Sequence, residues 1–405
     1  MNIQNVKIPG FSVMDFFLKL QAQGVSFLHT AAPDSKENWS ILAWAPVAEI
    51  SSWDEVKRLH LARKKTPQTE VPFCGGGIGT FTFEGKNPKP HFYFYDHFLC
   101  FKHDTGDLYT SDPEFVEETW AKPLPNSTQQ SQKAPLLALK TVWPKSEYEK
   151  AFHTIKEYIL DGDIYQINLT QQLTGEFTGD LKALFLTLCA TNPSPFAAYL
   201  DGGDLQVLSA SPERFIALKN GILTTTPVKG TRPRGQTPEE DERLKNELLS
   251  SEKEKAELSM ITDLLRNDLG QVSTVGSVKV KESRSLQICP TVFHTYSVIE
   301  GHARTNLDAL DILKACLPGG SISGCPKQRA CEIIEELEPM PRGLYTGTLA
   351  YLSDDGTMDS SILIRTLLHE NGKVSLGVGG GIVADSDCES EYQESLQKAS
   401  SFLKL

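Results

Sequence analysis

No stretch of this 405-residue chain approaches the roughly 20 apolar residues that a membrane-spanning helix needs. Its first residues, Met1-Asn2-Ile3-Gln4-Asn5, lack the basic-then-apolar pattern of an export signal. The eight cysteines are scattered without a Cys-x-x-Cys pair, so a large chain with no secretion signal reads as reduced and cytoplasmic. Asn126-Ser127-Thr128 fits a glycosylation sequon, but without secretion the match is empty. Positive charge is in deficit. A formal net charge of −12 argues against nucleic acid or an anionic membrane as partner. It leaves small anionic substrates open, since these need only local cations. No Gly-x-x-x-x-Gly-Lys-(Ser/Thr) run is present, so no nucleotide site is expected. Nor is there a Gly-x-Cys-x-Gly elbow, because Cys74, Cys189 and Cys325 all lack those flanks.

A chain of this length can bury a large core, as one domain or as two intertwined lobes. Residues 1–120 read as a strand-rich lobe. Phe16, Phe17 and Leu20 mark a helix, and residues 73–83 and 91–95 read as strands. Residues 121–140, rich in Pro, Gln and Ser, read as a linker or surface excursion, and 141–405 form the second lobe.

In that lobe, Ser146-Glu147-Tyr148-Glu149 has the form of a capping box. Tyr148, Phe152, Ile155 and Ile159 follow on one helical face, and Gly162 ends the helix. In the next strand Tyr165, Ile167, Leu169 and Leu173 share a face, with Gln166, Asn168 and Thr170 opposite, where a polar row ordinarily meets water. Ser251-Glu252-Lys253-Glu254 caps a helix running to about Asn267, with Leu258, Ile261, Leu264 and Leu265 as its buried stripe. At 3.6 residues per turn Glu257 falls on that stripe. A carboxylate pointing into a core must be paired, protonated or bound to a metal.

Residues 318–327 are glycine-rich and lead into a helix with Pro326 in its first turn, a setting that favours an anion. The tail reads as a three-strand meander turning at Asp354-Asp355-Gly356 and at Asn371-Gly372. On its middle strand Arg365 shares a face with Leu363 and Leu367, so its guanidinium either joins a structural ion pair or clamps a carboxylate. Glu391, Glu394 and Lys398 stand at i, i+3 and i+7 on the last helix, a spacing that by itself describes a solvated charged face.

The stretch on which these pieces converge is residues 224–235, Thr-Thr-Thr-Pro-Val-Lys-Gly-Thr-Arg-Pro-Arg-Gly. Its β-branched residues and Pro227 favour extended backbone, and Gly230 lets a ligand approach the main chain. Lys229 then has two readings: a snorkelling surface lysine, or a nucleophile whose amine is freed by desolvation.

The same stretch resembles the Pro-Ile-(Ala/Lys)-Gly-Thr-Arg-Pro-Arg-Gly signature of chorismate-utilising enzymes. Ser211-Pro212-Glu213-Arg214-Phe215 precedes it, and Asp263-Leu264-Leu265-Arg266-Asn267-Asp268-Leu269-Gly270 and Ser323-Gly324-Cys325-Pro326-Lys327 follow. Arg342-Gly343-Leu344-Tyr345-Thr346-Gly347, Gly379-Gly380-Gly381-Ile382-Val383-Ala384-Asp385-Ser386 and Glu391-Tyr392-Gln393-Glu394 complete the series. The match runs in register from about Tyr148 to Lys398. Lysine before Gly230-Thr231 resembles the aminodeoxychorismate synthase component I family more than the anthranilate synthase family. Leu28-His29-Thr30 departs from the Leu-x-Ser motif near which regulated anthranilate synthases hold tryptophan.

The resemblance implies an α+β fold, a single large chorismate-binding core of two packed antiparallel sheets flanked by helices, with 141–405 as the catalytic lobe. It implies Mg2+ held by Glu257, Glu391 and Glu394. It places Arg365 and Tyr345, with backbone N–H groups around Gly379 and Gly381, at the enolpyruvyl carboxylate. His294, Thr231, Ser321 and Lys398 match ring- or carboxylate-side positions. Lys229 is implied as the nucleophile and Glu213 as the general acid, with chorismate and ammonia as substrates. Ammonia would come from a separate glutamine amidotransferase subunit, component II. Other members of the class, forming anthranilate, isochorismate or salicylate, and a non-catalytic protein on the same fold, are the alternatives.

Overall fold

Alternating apolar residues near the start of the chain resolve into strands that enter two different sheets. The computed structural model describes residues 3–31, 38–66, 71–85, 87–125, 137–289, 292–400 and 402–403. Ser26–His29, Trp39–Trp44 and His97–Lys102 join a twelve-stranded antiparallel sheet, while Gly76–Phe81 and Pro90–Tyr95 join a ten-stranded one. Later strands complete both. Phe196–Asp201 pairs with Ser26–His29, and Thr348–Ser353 pairs with Gly76–Phe81. The sheets pack face to face. One apolar cluster joins Ile41, Phe98 and Val207 of the first to Ile78, Tyr95 and Leu349 of the second. Two larger clusters bury the helices against the sheets. The fold is therefore the α+β double sheet flanked by helices. Residues 126–136 of the expected linker, with Asn126-Ser127-Thr128, lie outside the described residues. Among the described residues no helix is long and apolar enough to cross a membrane.

Local expectations hold where side chains dictate them. Ser251 accepts from the N–H of Glu254 and starts the helix Glu252–Val272, which buries Leu258, Ile261, Leu264 and Leu265 and runs five residues past Asn267. Tyr148, Phe152 and Ile155 are buried on the helix Lys145–Leu160, but its cap is Pro144, with no side-chain hydrogen bond. The expected capping box at Ser146 is absent because the helix already begins at Lys145.

Two corrections bear on the site. The polar row Gln166, Asn168 and Thr170 faces inward. Gln166 is 2% and Thr170 6% exposed, whereas Tyr165, expected inside, is 67% exposed. Strand Gln166–Glu176 pairs with Lys373–Ile382, helix Lys327–Leu337 packs on it, and Ile167 and Leu169 on its other face are buried as well, so neither face meets water there. The tail is not one meander. Met358–Ile362 lies in the ten-stranded sheet and Thr366–Glu370 in the twelve-stranded one. The strand switches sheets at residues 363–365, with Arg365 at φ +50°. Arg365 thus shares no strand face with Leu363 and Leu367; it stands at a corner between the sheets.

Candidate active site

Lys229 sits in the strand Val228–Pro233, antiparallel to Val292–His302, where Lys229 faces Thr295 and Thr231 faces His294. One residue separates Lys229 from Thr231 without a partner of its own, and that residue is Gly230, at φ +80°. A β-bulge re-aims the side chains beside it. No other residue fits here, since a Cβ at 230 would lie 2.6 Å from Glu254 Oε2 and 2.9 Å from Leu248 Cδ1. Gly230→Ala should cost about 1–3 kcal/mol of stability through the left-handed backbone. It should cost turnover more, because the bulge that aims Lys229 is rebuilt. Thermal melting and chorismate consumption on the same preparation check this, and wild-type turnover would refute it.

The Lys229 ammonium lies within electrostatic reach of two acids, since its charge depresses the carboxyls of both Glu213 and Glu394. Glu213 occupies the break between strands Leu205–Ser211 and Arg214–Lys219 and is 7% exposed. Burial raises its pKa, against the opposing effects of a hydrogen bond with Ser321 and the charge of Lys229. An upward shift is the direction that a general acid needs. Its neighbour Arg214 is engaged elsewhere, in a bidentate pair with Asp359 at 2.7 and 2.9 Å.

Thr231 Oγ1 and His294 Nδ1 are 2.8 Å apart. Burial and the nearby Arg365 charge push His294 down to about 4, so its ring is neutral at physiological pH. Arg365 is itself desolvated, which lowers its pKa, and no acid among the described residues pairs with its guanidinium. The two cations after Lys229 differ in this respect: Arg232 is tied to Glu247 and Glu254, and Arg234 to Asp241. A desolvated guanidinium without an acid partner is the strongest sign of an anion site in the molecule.

Tyr345, its phenol pushed up by burial, lies against Gly377 so closely that a Cβ there would be 2.1 Å from the ring. Thr346 next to it has φ +59°. Strained backbone at Thr346 and Arg365 costs about 1–3 kcal/mol each and collects where geometry matters for function. Beyond Leu376 the strand Lys373–Ile382 has a strand neighbour on one side only, Gln166–Glu176. This is the stretch of Gly379, Gly380 and Gly381. Lys398 Nζ donates to Gly379 O at 2.9 Å. Gly381 abuts Gln166 and Asn168, the inward polar row.

Glu391 and Glu394 project from the helix Cys388–Ser400 toward Gly380, where a Cβ would meet Glu391 Oε2 at 3.3 Å, Lys398 Nζ at 3.7 Å and Glu394 Oε1 at 4.0 Å. Burial raises Glu391, helped by the charge of Glu394 and opposed by a 2.7 Å hydrogen bond from Ser386. Partial desolvation would raise Glu394 too, though its side chain is 57% exposed, but Lys398 at 2.8 Å, Lys229 and Lys253 together hold it below the usual range. Glu257 is at the edge of its helical stripe rather than inside it, 26% exposed and 4.0 Å from Lys253 Nζ. The Lys253 ammonium therefore influences all three carboxylates, in a place where positive charge belongs. Oxygen donors around that charge suit a hard divalent cation. As they stand the side chains are held apart by separate partners, and among the described residues no three acidic, His or Cys side chains form a metal-sized group.

The structure thus joins Lys229, Glu213, Ser321 and Glu394 in one group, Thr231, His294 and Arg365 in a second, and Glu391, Glu394, Lys398 and the glycine strand in a third. Glu257 joins only through Lys253, and Tyr345 through backbone bonds around Thr346 and Leu363. Sequence reasoning had not singled out Lys253, Ser386 or Gly380. The i, i+4 spacing of Lys253 and Glu257 was a signal available for the first; Gly380 and Ser386 stand inside the motif 379–386 without a role assigned to them. Leu28, His29 and Thr30 line a separate cleft with Trp39, Tyr351 and Asp359.

A double-sheet α+β fold with an unpaired guanidinium, a buried acid beside a lysine and a group of carboxylates defines an enzyme for a small, multiply anionic substrate. Residues 29–404 match the chorismate binding enzyme family, and the chain belongs to it. It is 38% identical to aminodeoxychorismate synthase component 1 of Klebsiella aerogenes over 85% of this chain and 80% of the relative. Identity is also 38% to anthranilate synthase component 1 of Aquifex aeolicus, over 82% and 74%. The crystal structure of anthranilate synthase component I from Streptococcus pneumoniae superposes with a TM-score of 0.82 at 32% identity, covering 97% of each chain. The protein is a chorismate-utilising enzyme of the anthranilate and aminodeoxychorismate synthase family.

Proposed function

We propose that this enzyme aminates chorismate at C4, giving 4-amino-4-deoxychorismate for 4-aminobenzoate and folate synthesis, with Lys229 as covalent nucleophile. The observation that carries the reading is the position of Lys229 on its bulge, in reach of Glu213 and Glu394. Arg365 and Tyr345 hold the enolpyruvyl carboxylate beside the Gly379–Gly381 backbone, and Thr231, His294, Ser321 and Lys398 fix the ring. Once it has given up its proton, the Lys229 amine adds to C2, both ring double bonds move over by one bond, and the C4–O bond breaks as Glu213 gives its proton to the departing hydroxyl, which leaves as water. Ammonia then bonds to C4, both double bonds move back, and the C2–N bond breaks to release the lysine amine. Two easier displacements replace one hard one. Glu257, Glu391 and Glu394 would hold Mg2+, which when bound supplies charge neutralisation at the ring carboxylate.

Ammonia calls for a supplier, and a glutamine amidotransferase subunit is the partner this reading requires. The purified chain should use ammonium salts at elevated pH, where NH3 is populated, and leave glutamine untouched until that subunit is added. Glutaminase activity from this chain alone would refute the division of labour. Anthranilate formation is the second reading, favoured by the equal identity of the Aquifex aeolicus relative. It requires no covalent lysine.

A further inference from the structure

Beside the site lies a buried ion pair with no part in the chemistry so far. Arg342 and Glu338 form a fork-to-fork contact at 2.7 and 2.8 Å, their side chains 2% and 6% exposed. Arg342 also donates to Ile322 O at 2.9 Å and Asn168 O at 2.7 Å, and its guanidinium lies 4.3 Å over the Phe83 ring. Glu338 accepts in turn from the N–H and hydroxyl of Thr170, at 3.0 and 2.9 Å. The pair thereby binds the end of helix Lys327–Leu337 and the inward polar row to the turn Gly320–Ile322, which carries Ser321.

That turn is fixed from other directions too. Asn168 Nδ2 donates to Ser321 O at 3.2 Å, and the Asn168 N–H to Ser323 O at 2.8 Å. On the far side Lys327 Nζ pairs with buried Asp268 at 2.7 Å and donates to Cys316 O at 2.9 Å. One buried ion pair thus grips a turn with one functional hydroxyl, and Asp268 lies beside Gly320 of that turn. Energetically this is a poor way to gain stability, because desolvating two charges offsets most of their attraction, and apolar replacements of similar volume are often neutral or better by about 1–4 kcal/mol. What such a pair does supply is a directional fork that fixes three segments in one geometry.

Gly319, which leads into the turn, lies against Phe215 and Ile362, and the Ile362 N–H donates to Glu213 O at 3.1 Å. We propose that Arg342 is a positioning residue: paired with Glu338, it holds the Ser321 turn against the Glu213 segment so that the Ser321 hydroxyl meets Glu213. The inference rests on the general-acid role of Glu213 proposed above, and not on which product forms. Its effect falls mainly on kcat, since the substrate carboxylates are held by Arg365 and the glycine strand, and the ring by Thr231, His294 and Lys398 besides Ser321.

The test compares wild type, Ser321→Ala, the apolar pair Arg342→Met with Glu338→Met, and all three changes together. Melting temperature and chorismate consumption are followed, so a wrong product assignment leaves the result readable. The apolar pair should stay folded but melt lower, since Ile322 O, Asn168 O and the Thr170 N–H lose their partners, and should lose about two orders of magnitude in kcat, the scale of a general acid's contribution, with KM little changed. Adding Ser321→Ala should cost hardly more, because groups acting through one contact are not additive. Should the apolar pair fail to fold, Arg342→Lys, which keeps the charge without the fork, is expected to fold, run slowly and couple to Ser321→Ala in the same way. A wild-type rate in the pair, independent losses that multiply, or loss of fold in both variants would overturn the inference. Full activity in Ser321→Ala would overturn it as well, by removing the contact through which Arg342 acts.

Discussion

Lys229→Ala is expected to bind chorismate normally and to lose 4-amino-4-deoxychorismate formation by roughly three orders of magnitude, about 4 kcal/mol of transition-state stabilisation. Binding survives because the variant leaves Arg365, Tyr345 and the glycine strand untouched. On the proposed mechanism the chemistry fails because the amine that would add at C2 is gone while Glu213 and Glu394 remain. Alanine also leaves room for ammonia or water to reach C2 directly, so residual turnover should shift toward C2 products. The side chain is partly exposed and makes no hydrogen bond or ion pair to another described residue, so the fold has little to lose. Substitutions at such positions usually move stability by less than about 0.5 kcal/mol unless function is involved. An alanine variant with near-wild-type rate would return Lys229 to the rank of an ordinary surface lysine.

Glu394→Gln should nearly abolish activity with an intact fold. Its side chain is 57% exposed and the amide is almost isosteric, so melting should change little. The change removes one charge from the group that includes Glu391, Glu257 and Lys253. If that group holds Mg2+, the loss is of the order of several kcal/mol in transition-state stabilisation. Excess EDTA should reproduce the effect in wild type, and added Mg2+ should restore the wild type but not the variant. Wild-type rates in EDTA would contradict the metal assignment. Glu391→Gln is a less clean probe, because Glu391 is buried and accepts a hydrogen bond from Ser386.

Much of this was legible before any coordinates. The Ser251-capped helix follows from local pattern, and the order of motifs between residues 211 and 394 identified the family. What the sequence did not show follows from rules that act over long distances. The polar row of Gln166, Asn168 and Thr170 reads as solvent-facing because period-two alternation cannot tell an inner polar face from an outer one. The strand break at Arg365 is invisible because apolar residues continue on both sides of it, and the sheet switch shows only in pairing. The Arg342–Glu338 fork spans one helix end and a turn, a spacing that on paper is an ordinary i, i+4 pair. Helical phase puts Glu257 on the buried stripe, yet its side chain is 26% exposed beside Lys253, because phase alone does not say where the covered face ends.

The most direct test is mass analysis of what wild-type protein makes from chorismate, Mg2+ and ammonium, together with the mass of the Lys229 peptide quenched during turnover. The account predicts 4-amino-4-deoxychorismate as product and a chorismate-derived adduct on Lys229. Anthranilate as the product, with Lys229 unmodified throughout, would contradict it.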